Sequence, residues 1–388
     1  MRYIWQHIEN IIKGYDGSLP LSHFLKSYFK NHPKLGSRDR KLLSEMVYCS
    51  YRVSLSLTLP KGREHELEEA IKACLFLCST QQTIAAYVLD ETWDFDANRD
   101  ISERVQMLQE KGIAFDAGKL FPHAIELSAG IEKEEWLFSM LQKPKLFIRI
   151  RKNKDKIIEL LHQNDIPFEE IKENCFSLPI GAAIDQLLSQ DAYVVQDASS
   201  QETGNYFHPQ KNETWYDCCS GAGGKALLLK DMEPSVKLTV SDTRESILQN
   251  LKSRFQLYGL ELPSVYNIDL TKKETLQQRL KDKQFDAIIC DAPCSGSGTW
   301  ARTPEQLYFF KPETTQTFSS LQKSIAANAA TCLKPGGRLI YITCSIFKEE
   351  NEDVVAELTN NGLQIESMQI INGINKRADS MFVAMLKK

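Results

Sequence analysis

Apolar residues recur at three- and four-residue spacing through Leu21–Phe29, Lys41–Val53, Leu67–Cys78 and Ile101–Gln109. That period lays a stripe along one face of a helix, so residues 1–134 are expected to form a helical domain. Breaks rich in Pro and Gly at Leu19-Pro20, Pro33 to Gly36 and Leu59 to Gly62 separate the stripes. Over 135–205 the pattern is mixed: Leu146-Phe147-Ile148-Arg149-Ile150 alternates like a strand and Lys154–Asn164 repeats like a helix. Pro167–Leu178 and Asp191–Gln196 read as further strands, which makes this stretch a small α/β module. Over 206–388 strand, loop and helix alternate. The strands expected are Thr214–Cys218, Lys237–Ser241, Val265–Ile268, Phe285–Cys290 and Arg338–Ile342, with helices at Arg244–Tyr258 and Thr317–Leu333. Such alternation predicts a parallel sheet with helices on both faces, and Met381–Leu386 a late antiparallel strand.

The composition, 388 residues with 42% hydrophobic and 25% charged, is that of a globular protein of two or three domains. No apolar run is long enough to span a bilayer and no charged-then-apolar leader is present, so a cytoplasmic protein is expected. The ten cysteines have no disulfide-scaffold spacing and read as reduced thiols, mostly buried. A formal net charge of −4 argues against a nucleic-acid binder only if the basic residues are spread evenly, and they are not. Lys143, Lys145, Arg149, Arg151, Lys152, Lys154 and Lys156 face a single acid, Asp155. This cluster is either a phosphate-binding face or a solvated charged surface.

The candidate chemistry sits at predicted strand ends, where open parallel sheets bind ligands. Cys219-Ser220-Gly221-Ala222-Gly223-Gly224-Lys225 follows the first strand of the alternating region and opens a helix. Its glycines permit a tight turn and close approach of a ligand to the backbone, and the helix start attracts negative charge. The ending required of a phosphate-binding P-loop is absent. Asp242, Asp269 and Asp291 close the next three strands, and an acid after the second strand is placed to accept from ribose hydroxyls. Two thiols, Cys294 and Cys344, follow the last two parallel strands. A thiolate is a strong nucleophile near neutral pH. Cys290 and Cys294 could suggest a metal pair, but no histidine or second spaced pair lies nearby, so no metal is expected.

Asp291-Ala292-Pro293-Cys294-Ser295-Gly296 and Thr343-Cys344-Ser345, with the Gly-rich loop, resemble the Sun (RsmB-type) family of RNA cytosine-5 methyltransferases. Val195-Gln196-Asp197-Ala198-Ser199-Ser200-Gln201, Leu333-Lys334-Pro335-Gly336-Gly337 and Asp379-Ser380-Met381-Phe382-Val383-Ala384 extend the resemblance over Lys143–Lys388. Ser37-Arg38-Asp39-Arg40 is similar to the start of a NusB-like helical domain that precedes the core in such proteins. The resemblance implies a Rossmann-like class I methyltransferase sheet, preceded by the small α/β module and an all-α RNA-targeting domain. It implies S-adenosylmethionine as cofactor, bound by residues 219–225, Asp242, Asp269 and Asp291. Cys344 would be the nucleophile, Cys294 would assist adduct breakdown, Asp291 would hold the base edge, and Lys225 would support the loop and the acid. Gly221-Ala222 departs from the Ala-Pro common in the family, and Ser380 stands where glycine is common.

The expected substrate is ribosomal RNA of the small subunit, with tRNA as the rival, met by a monomer through Lys143, Lys145, Arg149, Arg151, Lys152 and Arg302. Tyr308, Phe309 and Phe310 are candidates for base stacking or for core packing. A non-catalytic ribosome-assembly factor on the same scaffold is the alternative of a different class, although a pure binder needs no paired thiols. DNA cytosine methylation would use the cysteine of Pro293-Cys294 as nucleophile instead.

Overall fold

The computed structural model describes residues 1–59, 66–281 and 283–388. Part of the expected Leu59 to Gly62 break lies outside them. The described chain forms two compact units. The helical unit comprises residues 1–124, 132–143 and 299–311, and the sheet unit the remainder.

In the helical unit the apolar stripes become helices Leu21–Asn31, Ser37–Val53, Glu66–Cys78 and Ile101–Glu110. Each buries the face its spacing marks, such as Leu42, Leu43, Met46 and Val47 of the second. The sequence pattern omitted helices Arg2–Gly14, Gln82–Val88 and Lys133–Ser139. Two-residue strands β1 (Leu57–Thr58) and β2 (Ala114–Phe115) pair antiparallel. Residues 299–311 join this unit through aromatic packing. Phe309 lies against Tyr15 and Tyr51, Tyr308 against Tyr51, and Phe310 against Phe121 and Trp300. These half-buried rings pack within the unit, as the core-packing alternative expects.

The sheet unit holds two sheets. The smaller contains β3 (Leu146–Ile150), β4 (Glu169–Lys172), β5 (Cys175–Leu178) and β6 (Tyr193–Val195), in the antiparallel order β4-β5-β3-β6. The larger contains β7 (Thr214–Asp217), β8 (Lys237–Asp242), β9 (Ser264–Asn267), β10 (Phe285–Asp291), β11 (Leu333–Thr343), β12 (Gln364–Ile371) and β13 (Met381–Lys387). Its order is β12-β13-β11-β10-β7-β8-β9, with β11, β10, β7, β8 and β9 parallel. β13 pairs antiparallel with β11 and β12. This is the expected Rossmann-like architecture. β12 went unpredicted because, at the sheet edge, it buries only Ile371 completely.

The central strands read as continuous apolar runs because both their faces are covered. Ile288 and Cys290 of β10 pack into one core with Tyr216, Leu339 and Tyr341. Ala287 and Ile289 pack into the other with Trp215, Ile340 and Val383. Successive side chains point to opposite faces, so a one-residue slip of β10 would exchange the two cores. No helix among the described residues is long and apolar enough to cross a membrane.

At the amino end of β10, Asp286 accepts from Lys334 Nζ at 2.8 Å and from the Thr214 hydroxyl at 2.7 Å. Burial opposes its ionisation, but the hydrogen bonds from Lys334 and Thr214 outweigh it and hold the carboxyl at about 2. A depressed carboxylate pKa adds stability above its unfolded value, and that stability is lost as pH falls through the folded value. Asp286→Asn is therefore expected to cost up to about 2 kcal/mol at pH 7, less what partial exposure removes. The gap between variant and wild type should close as pH falls from about 4 towards 2. Urea unfolding across that range measures it, and a gap independent of pH would refute the assignment.

Candidate active site

The cofactor-type loop leaves β7 with an abrupt turn. Gly221 and Gly223 adopt φ of +50° and +83°. At Gly223 a Cβ would also approach Leu251 Cγ to 3.0 Å, so the loop lies close on the helix Glu245–Leu257. Bonds to neighbouring elements hold the loop. Ser220 N donates to Ser241 O at 2.9 Å, Gly221 N to Asp242 Oδ2 at 3.1 Å, and Arg254 to Ala222 O at 2.7 Å. A Cβ placed on Gly221 or Gly224 would meet nothing within 4 Å, so the outer side of the loop is open. The helix Gly224–Met232 begins there. These residues fit a nucleoside-bearing cofactor.

Asp242 ends β8 beside the loop. Burial opposes its charge, but bonds from Arg244 and Gly221 N outweigh that and hold its pKa below the ordinary range. Arg244 engages both carboxylate oxygens, at 3.0 and 3.1 Å. Asp269 instead turns to its own loop and accepts from Thr271 N and the Thr271 hydroxyl at 3.0 and 2.6 Å.

Lys225 is 8% exposed, and its Nζ donates to Asp291 Oδ2 at 2.7 Å. Burial works against its charge, yet the Asp291 carboxylate prevails and raises its pKa. The ammonium thus fixes the orientation of the acid that closes β10. Asp217, at the end of β7, is fully buried, and neither of its oxygens finds a hydrogen-bond partner. Burial, then the nearby Asp291 charge, push its carboxyl well above the usual range.

The two thiols predicted to meet do so. Cys294 Sγ lies 3.2 Å from Cys344 Sγ. The Cys344 sulfur, followed by burial, raises the Cys294 thiol well above the cysteine range. Cys294 therefore keeps its proton and can donate it toward Cys344.

Both thiol loops hang on one carboxylate that the sequence reading missed. Glu350 is fully buried and accepts from Ser295 N at 2.8 Å, Ser345 Oγ at 2.8 Å and Gln322 Nε2 at 3.0 Å. It thus grips the residue after each cysteine. Asn351, also fully buried, accepts from the Thr343 hydroxyl and donates to Ser345 O, each 2.8 Å or closer. Gly298 lets the first loop approach β13, because a Cβ there would lie 2.1 Å from Ser380 O. The only sequence signal for Glu350 was an acid pair six residues beyond Cys344, which looks like a solvated helix start. Glu350→Ala is expected to lower kcat about a hundredfold with an unchanged KM for cofactor, since misplaced groups lose rate rather than binding. Steady-state kinetics decide it, and a change confined to the cofactor KM would contradict this positioning.

The basic cluster is mostly committed elsewhere. Arg149 and Arg151 both bind Asp231, at 2.6 and 2.7 Å, and their side chains are 10% and 6% exposed. Arg151 also lies over the Tyr258 ring. This corrects the phosphate-binding expectation for both residues: buried guanidiniums paired to one carboxylate tie β3 and its exit to the helix Gly224–Met232. Lys143 pairs with Glu45 in the helical unit. Lys145 and Lys152 pair with Glu169 and Asp191 at 3.0 Å, with 33% and 49% of their side chains still exposed. Arg302 lies in the helical unit and is half-buried.

A family model described as 16S rRNA methyltransferase RsmB/F matches residues 205–386. The chain is 30% identical over 356 residues to ribosomal RNA small subunit methyltransferase B of Serratia proteamaculans (strain 568), covering 83% of this chain and 82% of that protein. It is 26% identical over 387 residues to the probable ribosomal RNA small subunit methyltransferase B of Bacillus subtilis (strain 168), covering 90% and 86%. The match to the Shewanella oneidensis enzyme of that name is 33% identical but spans only 44% of this chain and 39% of that one. Among solved structures, PH0851 superposes with a TM-score of 0.69 at 19% identity, over 98% of this chain and 97% of that one. NSun6 from Pyrococcus horikoshii with SFG gives 0.58 at 14%, over 70% and 96%. At such identities the structural likeness establishes the fold.

Proposed function

Because the chain belongs to the RsmB/F family of 16S rRNA methyltransferases, we propose that it transfers a methyl group from S-adenosylmethionine to carbon 5 of a cytosine in 16S ribosomal RNA. The observation that carries this reading is the 3.2 Å meeting of Cys294 and Cys344 beside the Lys225–Asp291 pair. The open side of residues 219–225 supports cofactor binding there, with Asp242 on the ribose and Asp269 near the adenine. Arg244 would then give up part of its hold on Asp242. A neighbour of the same fold, NSun6 from Pyrococcus horikoshii, was solved with SFG.

Bound there, S-adenosylmethionine supplies an electrophilic methyl. The residues of the chain do the rest. The Cys344 thiolate adds to carbon 6 of the base, and carbon 5 gains the electron density to attack that methyl. Asp291, oriented by Lys225, bonds the base edge where charge develops. Once the Cys344 sulfur is bonded to carbon 6 it no longer holds the Cys294 proton, which passes to solvent. The Cys294 thiolate takes the carbon 5 proton, the C5–H electron pair restores the C5–C6 double bond, and carbon 6 releases Cys344 as thiolate. The base must leave its stack to reach these groups, which costs least in unpaired RNA. Lys145, Lys152 and Arg302 remain the proposed RNA contacts, and residues 1–134 the targeting domain.

The test is transfer of labelled methyl to separated, unmodified ribosomal RNA and tRNA, followed by nucleoside analysis. Label in 5-methylcytosine of 16S RNA is expected. Label confined to tRNA would overturn the substrate assignment. No transfer despite cofactor binding would favour the assembly-factor reading.

A further inference from the structure

Three sulfurs outside the reacting pair meet beneath the cofactor loop. The Sγ atoms of Cys218, Cys219 and Cys290 all lie within 4.8 Å of one another. They are placed by the sheet. β7 and β10 are parallel neighbours, Asp217 stands opposite Ile289, and Cys218 N donates to Ile289 O at 2.9 Å. Cys218 and Cys290 are buried and Cys219 is half-buried, with Tyr216, Ile288 and Tyr341 in the same apolar core.

We propose that Cys218, Cys219 and Cys290 form a three-sulfur site for a soft, thiophilic cation of low coordination number, Cu(I) being the best match. Metal–sulfur bonds of about 2.3 Å place the sulfurs of a trigonal site about 4 Å apart, inside the 4.8 Å that bounds the three here. Among the described residues the group includes no histidine or carboxylate, so the fourth ligand that tetrahedral zinc requires is missing from it. Sulfur donors in dry surroundings also disfavour hard cations such as magnesium. Each thiol that coordinates releases its proton to solvent. The ion would tie together the strand ends that carry the cofactor loop and Asp291. The site shares Cys219 with the loop of residues 219–225, but its test reads metal uptake and not methyl transfer.

Cu(I), supplied without oxygen as its acetonitrile complex, is titrated into full-length protein against the chromophoric chelator bathocuproine disulfonate. The Cys294→Ala/Cys344→Ala protein removes the competing thiol pair. One equivalent is expected to leave the chelator for both wild type and this protein. Adding Cys290→Val or, separately, Cys218→Val should weaken uptake at least tenfold while thermal melting still shows a folded protein. Two valine variants guard against one failing to fold. Overturning results are no uptake by wild type, uptake lost with Cys294 and Cys344, or uptake unchanged in a folded valine variant.

Discussion

Cys344→Ser is expected to lower turnover roughly ten-thousandfold or more, because a serine hydroxyl is almost un-ionised at neutral pH where a thiol is partly thiolate. The geometry sharpens this. Cys294 lies 3.2 Å away, and burial, a cause that the substitution leaves in place, still raises its pKa, so it makes a poor substitute nucleophile. The serine hydroxyl would keep the position of the thiol and lose only its nucleophilicity. Cofactor affinity should therefore be unchanged, since the bonds that hold residues 220–222 come from Ser241, Asp242 and Arg254. Single-turnover methyl transfer and cofactor titration measure the two halves. Residual turnover within tenfold of wild type would show that Cys344 is not the attacking group.

Cys294→Ser is expected to have the opposite signature. Adduct formation needs only Cys344, so the variant should methylate once and then stall. The product is a protein–RNA crosslink that survives a denaturing gel. Accumulation should approach one RNA per protein, while Cys344→Ser and the double variant show none. The variant retains a hydroxyl beside the substrate, but that group is a far weaker proton acceptor than sulfur. Release of methylated RNA at the wild-type rate would remove the proposed role of Cys294. A crosslink that forms only in Cys344→Ser would exchange the roles of the two cysteines, as in the DNA-type arrangement.

The elements that carry the site were legible because they are central. The apolar runs of β10 and β11 stand between two covered faces, so pattern and burial agree. Elements with a narrow buried face were not. β12 is mostly exposed, and Arg2–Gly14 buries only Ile4, His7, Ile8 and Ile11. The basic stretch Lys143–Lys156 illustrates a different failure. Its charge density was correctly counted, but its partners Glu45, Glu169, Glu170, Asp191 and Asp231 are distant in sequence. Local charge can be read along a chain, whereas its neutralisation depends on contacts between segments.

The sequence alone determined the alternation that demands a doubly covered parallel sheet, the strand ends on which Cys294, Cys344 and Asp291 sit, and the glycines that shape residues 219–225. These follow from local rules: period, turn chemistry and the position of a residue relative to the end of its strand. The tertiary structure decided which groups touch. It set the two sulfurs at 3.2 Å, joined Lys225 to Asp291 across 66 residues, and brought Glu350 to the backbone of Ser295 across 55. It also turned Arg149 and Arg151 from an open face into a buried clasp on Asp231. Hydrogen bonds and ion pairs act over a few ångströms, and separation along the chain says little about such distances once the sheet has folded.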